Sequence, residues 1–384
     1  MSFGESGLAV PPRGAGFPPW MDVRVESPLD VGTTRKVLIV RTDHVGDLVL
    51  STPFFETVRR NLPRSRITAL VTPYLRQVLE RNPSVDQITV IDRNDRAQGR
   101  DAVIRGLRDE GYDLCIALSP TMNSYAIART VRARNRAGYI YSRRWVPRAL
   151  SGMLLTHRAV FHIDALIEKG LTVPHEVDQT LWFARALGFS AEPVPLRVYP
   201  EPAQARAIWA DLGVELAALT DGADWNAASR RDSAWLAVQL SQAWLRPPWS
   251  LEHFTDLLKS LRATITDARI VVVFGPGEAD AGRELATASL PDDVHVRGNL
   301  SFSQWAGLLG GARIALSGDT GAVHVAAAMR TPVVAVYEDA TYDLCSQQWS
   351  PWMVAHRKVR KGAPRNDTIP RIVDACADLW KPGR

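Results

Sequence analysis

Two apolar patterns alternate along the first half of the chain. Continuous runs occur at Lys36-Val37-Leu38-Ile39-Val40, 66–71, 87–91, 113–118 and 136–140. Such runs suit strands covered on both faces, as in a parallel sheet. Between them, at 48–61, 73–81, 97–109 and 122–132, apolar residues recur at helical spacing. The alternation predicts βαβ units and a largely parallel sheet. Thr52-Pro53 marks either the start of the first helix or a bend in it. A helix over 175–187, ended by Gly188, closes this half, and Pro193, Pro195, Pro200 and Pro202 then punctuate the chain as an interdomain connection would.

The second half repeats the scheme. A helix over 201–212 leads into strands at 235–240, 269–274, 294–297, 313–317 and 332–337, with helices at 250–264, 278–288, 303–309 and 321–329 between them. The segment with Trp349, Trp352, Arg360 and Lys361 reads as irregular, and a last helix spans 368–380. At 384 residues the chain exceeds one ordinary core and fits two domains. The predicted boundaries are a mobile extension over 1–33, an α/β domain over 34–195, a second over 196–352, and a tail with the last helix over 353–384. The extension rests on Gly and Pro content with few periodic apolar positions, and it lacks the pattern of a secretory signal.

Composition narrows the class. A hydrophobic share of 46% with 23% charged residues is that of a soluble globular protein, without the run of about 20 apolar residues of a membrane-spanning helix. Cys115, Cys345 and Cys376 lie far apart, which argues against a disulfide framework and for a reducing, cytoplasmic compartment. HExxH and Asp-x-Asp motifs are missing, so a diphosphate bound here is expected to be neutralised by protein groups, with no metal and no cofactor. The net charge of +5 is concentrated in Arg129, Arg132, Arg134, Arg136, Arg143, Arg144 and Arg148, interleaved with Tyr139, Tyr141 and Trp145. Such a segment fits a phosphorylated or carboxylated acceptor, an anionic membrane surface, nucleic acid or a plain solvated loop.

Two loops carry candidate chemistry. The first, Arg41-Thr42-Asp43-His44-Val45-Gly46-Asp47, follows the first strand, where open α/β sheets present reactive groups. Asp47 is read there as a general base or, equally, an N-terminal cap, and its position near a helix start is expected to keep it ionised. His44 lies beside it, to orient a ligand or to shape the loop. The second, Gly318-Asp319-Thr320-Gly321, precedes a helix of small residues containing His324. Glycine lets a backbone approach a ligand, and the N–H groups of a helix start favour an anion such as a pyrophosphate. Residues 41–47 lack the G-x-G-x-x-G pattern, which argues against a dehydrogenase.

Together with Thr52-Pro53, Asn82-Pro83-Ser84-Val85-Asp86, Tyr112-Asp113-Leu114 and Trp249 with Phe254, these loops resemble glycosyltransferase family 9, the ADP-heptose heptosyltransferases, over about residues 36–340. The resemblance implies a GT-B fold, two Rossmann-like doubly wound domains facing across a cleft, the first taking the acceptor and the second the nucleotide-sugar. It implies inverting, metal-independent heptose transfer from ADP-heptose to an acceptor hydroxyl, with Asp47 as base. Asp319, Thr320, Gly321 and His324 would bind the donor, and Glu278 would read its ribose. His44, Arg143 and Arg144 are assigned to the acceptor: a lipopolysaccharide core, a protein or a small molecule. Contact with the inner membrane surface is compatible, and nucleic acid is not implied. The chain departs from the family at Ser241-Gln242-Ala243-Trp244-Leu245-Arg246-Pro247-Pro248-Trp249, where Pro247 stands near the family's lysine and Arg246 is the substitute cation. That departure leaves open another donor, an epimerase, or a catalytically silent nucleotide-sugar binder.

Overall fold

In the computed structural model, residues 16–25, 29–92, 97–212 and 235–381 are described. The chain divides into two units, Met1–Val194 and Pro195–Arg384.

The interior strands of the first unit come from the apolar runs. Strands β1 (Met21–Val25), β2 (Lys36–Val40), β3 (Arg66–Val71), β4 (Gln87–Val90), β5 (Leu114–Ala117), β6 (Asn135–Tyr141) and β7 (His157–Phe161) form one sheet in the order β1-β7-β6-β5-β2-β3-β4. All pairings are parallel except that of β1 with β7. Strand β2 therefore has β3 on one side and β5 on the other, and the connections leave it in opposite directions. The crevice above the carboxyl ends of β2 and β5 is the topological switch point, where doubly wound sheets bind ligands. The loop 41–47 opens there. The helices Val45–Leu50 and Thr52–Asn61 are separate, and Ser51 between them donates from Oγ to the Asp47 carbonyl at 2.7 Å.

The second unit repeats the order with strands β8 (Trp235–Leu240), β9 (Arg269–Phe274), β10 (Val294–Arg297), β11 (Ile314–Gly318), β12 (Val333–Glu338) and β13 (His356–Lys361). They run β10-β9-β8-β11-β12-β13, all parallel, so the switch point lies between β8 and β11. The last helix, Ile369–Trp380, packs Ile372, Val373, Cys376 and Trp380 into this unit's core. Among the described residues no helix is long and apolar enough to cross a membrane.

The structure corrects the reading in two places. Part of the extension assigned to 1–33 is a strand, since β1 pairs with β7 from Met21↔Phe161 to Val25↔His157. Residues 1–15 and 26–28 of that extension lie outside the described residues. The segment read as irregular after Trp352 contains β13, which pairs with β12 along its whole length. Both strands sit at sheet edges, where charged residues blunt further pairing and mask the apolar signal.

Candidate functional site

The first site is built around Arg41, the first residue past β2. Its side chain is 1% exposed, and Nη1 donates to the Leu118 carbonyl and, at 3.2 Å, to the Tyr139 hydroxyl. Three carboxylates share this one guanidinium. Asp43 lies 3.5 Å from Nε, and Asp47 and Glu176 each lie 3.4 Å from the same Nη2. Burial disfavours the charged guanidinium, but Asp43, Tyr139, Asp47 and Glu176 together hold its pKa above the usual value. The Ser119 hydroxyl donates to Asp43 and accepts from the Thr42 N–H at 2.9 Å, which ties the β2 loop to the β5 loop across the switch point.

Asp47 has a side chain one-quarter exposed. Burial is the largest influence on its carboxyl and pushes it up to about 6, with Asp43 and Glu176 adding to the rise and Arg41 and His44 opposing it. Desolvation and the neighbouring charges, rather than the start of this six-residue helix, thus dominate its titration. A carboxyl with a pKa of about 6 is still about nine-tenths ionised at pH 7, close to the best match for a general base working there. His44 is exposed at the N-cap position and makes no capping hydrogen bond.

Sequence reasoning missed Glu176, Tyr139, Tyr141 and Ser119 as members of this site. Glu176 is buried at the start of the helix Glu176–Ala186, which the ring of His175 caps by accepting from the Val177 N–H at 3.1 Å. Its carboxylate accepts from the Tyr139 hydroxyl at 3.2 Å and from the Tyr141 hydroxyl at 3.1 Å. Burial and then the Glu176 charge raise both phenols, so they remain protonated donors.

The structure also redistributes the basic segment. Arg143 is ion-paired with Asp164 at 3.5 Å and Glu168 at 2.8 Å, whereas Arg144 donates to the Pro120 carbonyl at 2.7 Å, beside Ser119. Arg136 bonds the Leu154 carbonyl at 2.9 Å and the Ala133 carbonyl at 3.1 Å, a structural use. Only Arg144 of the two acceptor candidates is therefore held next to the β2 and β5 loops.

The second site lies at the other switch point. Gly318 ends β11, and a Cβ there would lie 3.0 Å from the Ala243 side chain, so the loops after β8 and β11 are in contact. Thr320 caps the helix Gly321–Ala328, its Oγ1 accepting from the Ala322 N–H at 3.3 Å and lying 3.0 Å from the Ser317 hydroxyl. His324, 4% exposed, follows one turn later. Asp319 keeps an exposed face, yet the protein around it pushes its carboxyl up to about 6, against the lowering effect of a hydrogen bond with Cys345. Glu278 ends the short turn after β9, which Gln242 of the β8 loop joins by donating to the Gly277 carbonyl at 3.4 Å. Arg246 is exposed farther along the β8 loop. All six predicted donor-side residues thus lie along the carboxyl edge of one sheet.

Two further residues enter that edge unannounced by the sequence. The Ser241 hydroxyl is buried and has no hydrogen-bond partner among the described residues. Lys361, at the end of β13, carries its Nζ under the β8 loop, where it bonds the Ala243 carbonyl and, at 2.7 Å, Glu338, with the Trp249 ring 5.5 Å away. A cation therefore reaches the β8 loop from the far edge of the sheet. Trp235, Trp244 and Trp249 are at most 2% exposed and pack the core.

Comparison with known proteins agrees with this architecture. The model of glycosyltransferase family 9 (heptosyltransferase) matches residues 203–367. Lipopolysaccharide heptosyltransferase 3 of Escherichia coli K12 is 22% identical over 315 residues, covering 80% of this chain and 82% of that protein. Among solved structures, a family 9 glycosyl transferase from Veillonella parvula superposes with a TM-score of 0.72 at 16% identity, covering 92% of this chain and 98% of that one. The E. coli heptosyltransferase WaaC, solved with ADP, gives 0.65 at 20% identity, covering 90% and 99%.

Proposed function

We propose that this chain, a glycosyltransferase of the family 9 heptosyltransferase type, moves a heptose from ADP-heptose to an acceptor hydroxyl with inversion and without a metal. One observation carries the reading: each unit sets its distinctive loop at its own switch point, a carboxylate tuned near neutrality in the first and a capped helix start with His324 in the second. In the reaction, Asp47 takes the acceptor proton as the hydroxyl oxygen attacks the anomeric carbon, and the bond from that carbon to the diphosphate breaks on the opposite face. The charge that develops on ADP is met by the N–H groups of the turn at 319–321, by His324 and by Arg246. Ser241 supplies, beside that turn, a hydroxyl with no hydrogen-bond partner among the described residues, as a phosphate oxygen requires. Glu278 accepts from the ribose hydroxyls.

The donor assignment draws on the relatives: WaaC was solved with ADP and with ADP-2-deoxy-2-fluoro heptose. The acceptor side draws on the lipopolysaccharide heptosyltransferases among them. Work on such a substrate puts the protein at the cytoplasmic face of the inner membrane, which the exposure of Trp145 (76%) and Met153 (66%) on one helix beside Arg144 and Arg148 supports. The replacement of the family lysine by Pro247 favours one alternative, a different nucleotide-sugar passed to a protein or small molecule.

The test is mass spectrometry of a heptose-deficient lipopolysaccharide core incubated with ADP-heptose in the presence of EDTA. A product heavier by one heptose, with stoichiometric ADP, is expected, and NMR of the new linkage should show inversion. Transfer only from UDP- or GDP-sugars would move the donor assignment, and dependence on an added divalent ion would end the metal-free mechanism.

A further inference from the structure

The arrangement that needs explaining is the sharing of one nitrogen. A base that must collect a proton near pH 7 is poorly served by a close cation, because an arginine beside a carboxylate lowers its pKa by about 1–3 units. Arg41 stands in that position, buried and charged, yet Asp47 lies no nearer to Nη2 than Glu176 does, at 3.4 Å each. Both distances are long for a charge-assisted hydrogen bond.

We propose that Glu176 is a positioning residue for the transfer: by competing with Asp47 for Nη2 of Arg41, it keeps the base from being neutralised in a tight ion pair. The proposal rests on the reading of Asp47 as base. Glu176 can hold this place because it cannot move. Its Oε1 accepts from Tyr139 and its Oε2 from Tyr141, Tyr141 lies 3.2 Å from Gln179 on the same helix as Glu176, and Gln179 in turn donates to the Pro174 carbonyl at 2.8 Å. Arg41 is likewise anchored, at its other terminal nitrogen, by Leu118 and Tyr139. The largest charge influences on Asp47 are Arg41, Asp43 and His44 from its own loop and Glu176 from the helix, so among these Glu176 is the one that the loop does not carry with it. Its effect on Asp47 is upward, in the direction the chemistry requires.

The experiment is Glu176→Gln in the full chain, read two ways. Carboxyl-labelled aspartate NMR follows the resonance that disappears in Asp47→Asn. It should titrate near 6 in the parent and about one unit lower in Glu176→Gln. The acid limb of kcat/KM against pH should move down by a similar amount, with turnover at pH 7.5 reduced by no more than about 10-fold, the full value of one unit of basicity, and donor KM unchanged. Should Glu176→Gln not fold, Glu176→Asp, which keeps the charge but withdraws it by one methylene, should shift both readouts downward by less. A folded variant in which the Asp47 titration stays at the parental value overturns the proposal. If the NMR titration moves while the rate profile does not, Glu176 keeps its role on Asp47 and the reading of Asp47 as base is what fails.

Discussion

The two switch points share a topology and contrast in chemistry. In the first unit the crevice is dense with charge: one buried guanidinium, three carboxylates, and the phenols of buried Tyr139 and partly buried Tyr141. In the second the charged groups, Asp319, Glu278, Arg246 and Lys361, are spread along the strand ends, and the turn itself is made of Gly318, Gly321 and Ala322 with hydroxyls from Ser241, Ser317 and Thr320. A group that must change protonation during turnover needs neighbours that set its pKa. A diphosphate needs close backbone and N–H groups, which small residues provide and large side chains obstruct. Both crevices hold a carboxyl raised to about 6, Asp47 in the first and Asp319 in the second, but the same strand order surrounds it with a clustered charge network in one and with a small-residue turn in the other.

The sharpest way to break this contrast is to remove the titrating group. Asp47→Asn should lower turnover by at least about 100-fold while ADP still raises the melting temperature. It should also stabilise the protein. Burial raises the native carboxyl from 3.8 to about 6, so native Asp47 binds its proton more tightly than the unfolded chain does. Stability from this group is therefore fully present below about pH 4 and is lost as pH rises through 6, a cost at pH 7.5 of at most about 3 kcal/mol. Thermal melts of the two proteins should then differ at pH 7.5 and converge near pH 4. Equal melting temperatures at both pH values would mean that the crevice does not perturb Asp47.

How far the sequence exposes each site follows from the same contrast. Asp319, Thr320, Gly321 and His324 are neighbours in sequence, and a cradle made of backbone and one helix start can be read from a single segment. Asp47 is legible for the same reason, as a carboxylate just past a strand. Its controlling partner is not. Arg41 and Glu176 are 135 positions apart, and only the pairing of β2 with β5 and β5 with β6 brings Tyr139 and the helix at 176 to the same place. Lys361 is hidden twice over, by its distance of 118 positions from Ala243 and by its membership of a charged edge strand that shows no apolar pattern. The doubly wound halves were legible because interior parallel strands must be apolar on both faces, whereas β1 and β13 escape that demand at the edges.

A smaller effect tests whether the second crevice draws positive charge from Lys361. Lys361→Met leaves the Ala243 carbonyl without its donor, and Glu338, being 43% exposed, returns to water. The expected outcome is a destabilisation of about 1–3 kcal/mol, from loss of a buried charged hydrogen bond, together with about a 10-fold weaker affinity for ADP. Calorimetric titration with ADP separates the two. A lower melting temperature with unchanged ADP affinity would make Lys361 a clasp for the loop and leave the donor's charge to Arg246.

The smallest effect divides two adjacent arginines that the sequence cannot tell apart. Arg143 is engaged by Asp164 and Glu168 at the surface, and exposed pairs of that kind contribute at most about 1 kcal/mol. Arg144 reaches across to the Pro120 carbonyl, beside the serine that bonds Asp43, with the Tyr141 ring 6.0 Å from its guanidinium. Arg144→Ala should therefore raise the acceptor KM about 3- to 10-fold, while Arg143→Ala should leave it within about 2-fold, the expected range for a surface side chain whose charge is already matched. Steady-state kinetics with the acceptor varied at saturating donor measures both. If Arg143→Ala has the larger effect, the acceptor's charged groups lie over the helix at 163–168 and not beside the β2 and β5 loops, and the dense crevice is then a site for proton transfer without being the place where the acceptor's anionic groups are held.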